Sequence, residues 1–501
     1  CRHRPATTAS RMKTSTDPLV LAIDQGTHST RAIAFNQQGR AVAQAQRPVG
    51  LQRLSHSAVE QSPDEILRSM QAVVAEVLAA QAVAGRQVQA AGLATQRSSV
   101  LAWERTTGTA LSPVLSWQDT RTADIMQQLE PHATAVMQAT GLRLSPHYGG
   151  GKLQWLLKQQ AAVAAAQATG TLSLGPLASY LLHHLTDSRS EQVDHANASR
   201  TLLWNLETRD WDAQLLELFA IPHETLPVCR PICAAYGNTV NGDLPVTAVN
   251  GDQTAALYAL GHPPAGTVMV NIGTGAFVLL PVQDPHNRPA DLLAGISWST
   301  EQAASYYVEG TVNGAGAALQ WASSHFNVTG LEQQLPGWME QITEPTLFLN
   351  SVGGLGSPWW RAGPAPRFLD AGVQAPEAMV AVLESIIFLL QANIAALCAL
   401  DASVDTVRIS GGLAKLDGLC QKLANLSGLI VQRPAQVEAT ARGIAWQAAG
   451  GPADWSSSGR GTAFMPQSDV KLQARYNTCL LYTSPSPRDL NPNLVCRRVG
   501  E

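Results

Sequence analysis

A short apolar strand, a Gly–Thr turn and a return strand occur twice in this chain, about 250 residues apart. The first copy is residues 19–23, then Asp24-Gln25-Gly26-Thr27, then residues 31–35. The second is Thr267–Ile272, then Gly273-Thr274-Gly275, then residues 276–281. A hairpin cannot bury its apolar face alone, so each copy needs its own sheet and covering helices. The duplication predicts two similar α/β domains with a cleft between them and a boundary near residues 245–250. The 501 residues suffice for two such cores. With 45% hydrophobic and 14% charged residues, a largely disordered chain is excluded.

Other elements fall into place around the hairpins. A third strand is predicted near residues 41–46. Ser62-Pro63-Asp64-Glu65 combines an N-cap, Pro at the first helical position and Glu three residues after the cap. Ile66, Met70, Val73, Val74 and Val77 then recur at helical spacing. Strands are predicted at 88–94, 100–103 and 114–117, and a helix over Ala161–Ala168 with Gly170 as its stop. Residues 246–249 read as a strand that opens the second cycle and ends in Gly251-Asp252-Gln253. Residues 407–409 lead through Gly411-Gly412 to a helix at 417–426, and the last clear helix spans 437–449. The longest apolar runs, such as 386–390, fall far below the ~18 residues of a membrane span.

The two ends read differently from the rest. Residues 1–11 precede the first Met, Met12, and lack an apolar leader segment, so they read as a non-native or disordered leader. Residues 479–489, CLLYTSPSPRD, resemble a read-through of a common transposase-type sequencing adapter, and 479–501 are expected to carry no function. That leaves domains at 12–247 and 248–478, with the final helix starting near Arg475-Tyr476. Lys and Arg number 34 against 38 Asp and Glu, and this balance gives no basic surplus for nucleic acid or an anionic membrane. Cys229, Cys233, Cys398 and Cys420 are scattered, which points to a reducing cytoplasm rather than a disulfide scaffold. Cys229 and Cys233 near His223 lack a second ligand pair, so two thiols are expected there rather than a metal site.

The turns suggest the chemistry. A Gly–Thr turn between strands presents backbone N–H groups and a hydroxyl to a phosphate. Asp24 can hold Mg²⁺ beside it. Gly411-Gly412 gives a third place where a nucleotide can approach the backbone. The P-loop pattern, the Ser/His/Asp nucleophile elbow and the H-E-x-x-H pair are all absent from the sequence. Asp252 closes a strand at the domain boundary, where it either takes a proton from a substrate hydroxyl or caps a helix. Gln96-Arg97-Ser98 and Trp117-Gln118-Asp119 follow strand ends. They read either as groups for a polyhydroxylated ligand or as a structural Arg–Asp pair.

In order along the chain come DQGTxSTRA, TQR, WQDxR, GKLxWLL, GDQxAA, NIGTGAF, EGxxxxxGAALQW, GLGSPWW and SGGLAK. The set resembles the FGGY carbohydrate kinases, most closely the glycerol-kinase branch, over about residues 19–449. The resemblance implies an actin/Hsp70/hexokinase-like fold, with two ribonuclease-H-like domains flanking a nucleotide cleft. It also implies ATP- and Mg²⁺-dependent phosphorylation of a small polyol or sugar. By the same resemblance Asp252 is the general base, and Asp24 and Asp252 lie at the metal. Thr27, His28, Ser29, Arg31, Thr274, Gly316, Gln320 and Gly412 are expected to contact ATP. Arg97, Ser98, Trp117, His147, Gln253 and Phe277 join Asp252 at the substrate.

Four positions depart from the family pattern. Ser98 replaces a glutamate, His147 replaces a tyrosine that Tyr148 could supply after a one-residue shift, His28 replaces a threonine, and Leu416 replaces an asparagine near the adenine. Ser98 leaves more room and less charge, which favours an acceptor larger than glycerol, such as a longer polyol or a ketose. A non-catalytic ATP-binding module of the actin/Hsp70 type is the competing class; it would have no use for Arg97, Trp117 and Gln253. Oligomeric state stays open, with a homodimer as one option.

Overall fold

The computed structural model describes residues 17–483, apart from 190, 241, 436–437, 454 and 456–460. The expected leader at 1–11 and most of the expected foreign tail, residues 484–501, lie outside the described residues.

The first lobe is built on a five-stranded sheet. Strands β1 (Leu19–Gln25), β2 (Ser29–Phe35) and β3 (Ala41–Pro48) run antiparallel. β4 (Val88–Thr95) and β5 (Val246–Gly251) add in parallel, in the order β5-β4-β1-β2-β3. β1 is buried at every position because both faces of the sheet are covered, so it reads as an unbroken apolar run. Helix α1 (Pro63–Ala79) covers one face. Its Ser62 hydroxyl accepts from the Glu65 N–H at 3.3 Å, and Ile66, Met70, Val73 and Val77 are buried, as predicted.

The change of lobe falls later than expected. β5 does not open the second cycle; it pairs with β4 through the register Val249–Leu93 and Gly251–Thr95. A strand at residues 246–251 continues the first sheet because its ladder partner is already there. The boundary therefore lies after Gly251, not at 247/248.

Within the first lobe, α2 (Gly149–Gln159) and the short α3 (His195–Ser199) frame the cleft. α4 (Asp252–Ala256) leads out of β5. The second lobe holds a seven-stranded sheet. Its strands are β6 (Thr267–Ile272), β7 (Ala276–Val282), β8 (Leu293–Ser299), β9 (Ala304–Val312), β10 (Thr406–Gly411), β11 (Ile430–Arg433) and β12 (Thr462–Phe464). Their order is β8-β9-β7-β6-β10-β11-β12. Its helices include α5 (Gly316–His325), α6 (Ala375–Cys398) and α7 (Asp417–Ser427).

α6 corrects the reading of apolar runs. Its 24 residues are long and apolar enough to cross a membrane by length and composition, yet 78% of its most apolar window is buried inside the protein. It is the core helix of the second lobe, with Met379, Leu383, Ile386 and Leu390 packed under the sheet.

α8 (Ala439–Ala448) comes late in the chain but packs on the first lobe's sheet. Gly92 and Gly443 make this possible. A Cβ at Gly92 would sit 2.8 Å from the Ile444 carbonyl, and at Gly443 it would collide with the Ala255 carbonyl. The fully buried Arg442 ties α8 down through the carbonyls of Gly39, Ala259 and Trp455.

α9 (Val470–Thr483) starts before Arg475 and runs past 478. Tyr476 meets Phe388 with ring centroids 5.7 Å apart, and Arg475 and Lys422 both pair with the buried Glu384. Cys479 and Thr483 are also buried, so the helix does not end where the adapter-like segment begins.

Candidate active site

The two Gly–Thr turns join β1 to β2 and β6 to β7. In the first, the Gly26 N–H donates to the Ser29 carbonyl at 2.9 Å, leaving His28 exposed at the tip. In the second, Thr274 is exposed and its carbonyl accepts from the Ala317 N–H, while Gly273 accepts from Gly316. These bonds dock the N-terminus of α5 on the turn, and a Cβ at Gly316 would sit 2.7 Å from the Gly273 carbonyl. Gln320 lies exposed on α5. Gly411 has φ +97° beside the Ile272 carbonyl, a conformation that only glycine takes easily, and Gly412 is exposed just after it. Leu416 packs on the second core, which accounts for an apolar residue there.

Thr27 and Arg31 both have side-chain partners. The Thr27 hydroxyl accepts from Trp117 Nε1 at 2.9 Å and lines the substrate-side cavity, so its side chain is tied to that cavity. Arg31 sits opposite Asp24 in the β1–β2 ladder, 3.7 Å from its carboxylate, and pairs with Glu438 at 2.5 Å.

Asp24 is only 5% exposed. Burial pushes its carboxyl up to about 7; Arg31 opposes the shift, while Asp252 and Glu438 add to it. A buried carboxylate whose neighbour Arg31 is shared with Glu438 fits Mg²⁺, which takes one or two carboxylates and fills its other positions with phosphate oxygens and water. Among the described residues no group of three or more His, Cys, Asp or Glu gathers into a metal cage, at Cys229 and Cys233 or elsewhere.

The raised value has a sign that can be tested. Between about pH 4 and 7 the folded protein holds a proton on Asp24 that the unfolded chain releases. Without a bound cation, stability therefore falls as pH rises through that window and levels off above it. Asp24→Asn is expected to flatten this slope in melting temperatures taken from pH 5 to 8. An unchanged slope would assign the proton to another group.

A cavity of about 120 Å³ lies between the lobes, lined by Thr27, Gln96, Arg97, Ser98, Trp117, His147, Arg200, Asp252, Gln253 and Phe277. All seven expected substrate residues are among these. The cavity shares Trp117, His147, Arg200, Gln253 and Phe277 with a larger cleft of about 780 Å³ that reaches Thr274. Asp252 is the first residue of α4, not its cap, and its side chain is 30% exposed. Burial raises its pKa, opposed by Arg97, whose Nε lies 4.0 Å away. The Arg97 guanidinium also donates to Gln253 and to the Tyr307 hydroxyl. His147 meets Trp117 edge-on at 5.6 Å, and burial holds it well below the usual histidine range.

Four residues escaped the sequence reading. Lys152, fully buried, donates to the carbonyls of Ser98, Ser116 and His147 at 3.2, 2.7 and 2.7 Å. It thus holds three pocket segments together. Arg200 pairs with Glu309 at 2.5 Å and donates to the Tyr307 hydroxyl at 2.6 Å, both across the cleft. The available signal was a charged residue inside an apolar or small-residue run, as at Lys152 and Arg200.

A pair of ribonuclease-H-like lobes, with a Gly–Thr turn from each facing one cleft, defines an actin/hexokinase-like α/β protein. The N-terminal domain model of the FGGY family of carbohydrate kinases matches residues 19–258, and the C-terminal domain model matches 268–450. A glycerol kinase of Rippkaea orientalis is 32% identical over 444 residues, 86% of this chain and 88% of that one. One from Trichodesmium erythraeum is 33% identical over 87% and 90%. Plasmodium falciparum glycerol kinase with ADP superposes at a TM-score of 0.83, with 21% identity over 94% of this chain and 99% of that one. Ligand-bound xylulose kinase from Lactobacillus acidophilus gives 0.79 at 20% identity over 95% and 99%. The chain belongs to the FGGY family of carbohydrate kinases and is an ATP-dependent sugar or polyol kinase.

Proposed function

We propose that Asp252 is the general base in phosphoryl transfer from Mg-ATP to a hydroxyl of a small polyol or sugar, a longer polyol or ketose rather than glycerol itself. One observation carries this reading: a single cavity is walled by a phosphate-turn residue, Thr27, by the acid Asp252 and by the hydroxyl-binding groups Arg97, Trp117 and Gln253. The acceptor hydroxyl sits against Asp252, whose raised pKa suits it to take the proton as the oxygen attacks phosphorus. The ring faces of Trp117 and Phe277 pack on the acceptor's C–H groups, and Arg97 and Gln253 orient its hydroxyls. Asp24, with Asp252 nearby, would hold Mg²⁺, which supplies charge neutralisation on the phosphates. The turns at Gly26 and Gly273 and the Gly411-Gly412 segment would face the nucleotide. The relatives named glycerol kinase support a small polyol, and Ser98 in place of glutamate supports an acceptor that is not glycerol itself. The cysteines among the described residues are free thiols, which supports a cytoplasmic setting.

The test is ADP release with ATP and Mg²⁺ over glycerol, erythritol, xylulose, ribulose and longer acceptors. Turnover on at least one is expected. Strong turnover on glycerol alone would overturn the acceptor assignment, and silence throughout with a folded protein would overturn the kinase reading.

A further inference from the structure

Two polar atoms at the cavity lack partners. Ser98 Oγ and Arg200 Nε are both buried and neither makes a hydrogen bond. Their residues are 2% and 3% exposed, and both line the 120 Å³ cavity. A buried group of this kind costs free energy unless something in the cavity bonds it. One is an obligate donor and the other a hydroxyl, so an acceptor-only group satisfies both at once.

The charge around the cavity points the same way. Arg97 and Arg200 stand in its wall; Lys152 lies behind Ser98, Ser116 and His147, where burial pulls its pKa down to about 7, so near neutral pH it adds only part of a charge. Against them stand Asp252 in the wall and Glu309 behind Arg200. Glu309 is spent on the outer nitrogens of Arg200 and leaves Nε free. Burial is the main cause that holds His147 below the usual histidine range, and Lys152, Arg200 and Arg97 add to it.

We infer that the acceptor carries its own carboxylate. It is an aldonate-type hydroxy acid, bound through Arg200 Nε–H and the Ser98 hydroxyl with a substrate hydroxyl turned to Asp252. This rests on the kinase reading above. Charge-assisted bonds to a guanidinium favour a carboxylate over a neutral hydroxyl. The reacting step itself is unchanged.

The experiment compares acids with neutral alditols of matched length, erythronate with erythritol and gluconate with sorbitol, by ADP release. The wild type is expected to favour the acids by at least tenfold in kcat/KM. Ser98 has φ +62°, a conformation that Asp and Asn tolerate better than most residues. Ser98→Asp is therefore compared with Ser98→Asn, which has the same shape and no charge. Ser98→Asp should cut the acid-to-alditol ratio at least tenfold relative to Ser98→Asn. A wild-type preference for the alditol or a ketose, or equal ratios in the two variants, would overturn the inference. Should no acceptor turn over, the kinase reading falls and calorimetry decides this one alone. Saturable gluconate binding without sorbitol binding sustains it, and no gluconate binding overturns it.

Discussion

Asp252→Asn is expected to lower kcat by about 10³-fold while ATP affinity stays within about twofold of wild type. The substitution keeps the local geometry. The Asp252 carboxylate accepts from the Gln253 N–H at 2.7 Å, and an asparagine oxygen can do the same. What is lost is the site for the hydroxyl proton. Arg97 also loses a charge partner at 4.0 Å, but it keeps Gln253 and Tyr307. The position of Arg97 should therefore survive, and a loss of activity reports on the base. The acid limb of the wild-type pH–rate profile should be displaced upward from the ordinary carboxylate range, because burial raises this group. That limb should vanish in the variant. A variant retaining a tenth of wild-type turnover would remove Asp252 from the role.

Glu309→Gln should destabilise the protein by about 3 kcal/mol, because it strands a buried cation. Arg200 is 3% exposed and its charge is met by Glu309 at 1% exposure. Replacing both partners by apolar residues, as in Arg200→Met with Glu309→Leu, should cost less than the single change. Chemical denaturation of the two variants and the wild type checks this. A single variant within about 1 kcal/mol of wild type would mean that water reaches Arg200 and screens its charge. The pair also joins the lobes, since Arg200 follows α3 and Glu309 lies in β9. KM for the acceptor should rise in the same variant.

The turns and the core spacing were legible because they are local. Gly–Thr between two apolar runs is a signal within ten residues, and the Ser62 N-cap before Pro63 and Glu65 is one within four. β5 was misplaced because a strand does not announce which sheet it will join; that is decided by β4, about 150 residues earlier. α6 was missed because polar and small residues such as Glu384, Ser385 and Asn393 interrupt its apolar run, yet they are buried and partnered in the fold. The substrate residues were reachable through the family pattern. Arg200, Tyr307 and Glu309 carry meaning only as a triad across the cleft, and no spacing along the chain brings residues 200 and 309 together. At Thr27 the motif gave no sign of the contact its hydroxyl makes, a bond accepted from Trp117.

The position of α8 sets a timetable for synthesis. Residues 439–448 cover the face of the first sheet that carries Ala90, Ala94 and Ala248. A nascent chain has therefore made both lobes' strands up to β11 before the last piece of the first lobe leaves the ribosome. Until then that alanine-lined face lacks its main covering helix, and the first lobe waits for the second to be nearly complete. A ribosome stalled or a chain cut before Ala439 would release not one finished lobe and one unfinished lobe, but two unfinished ones.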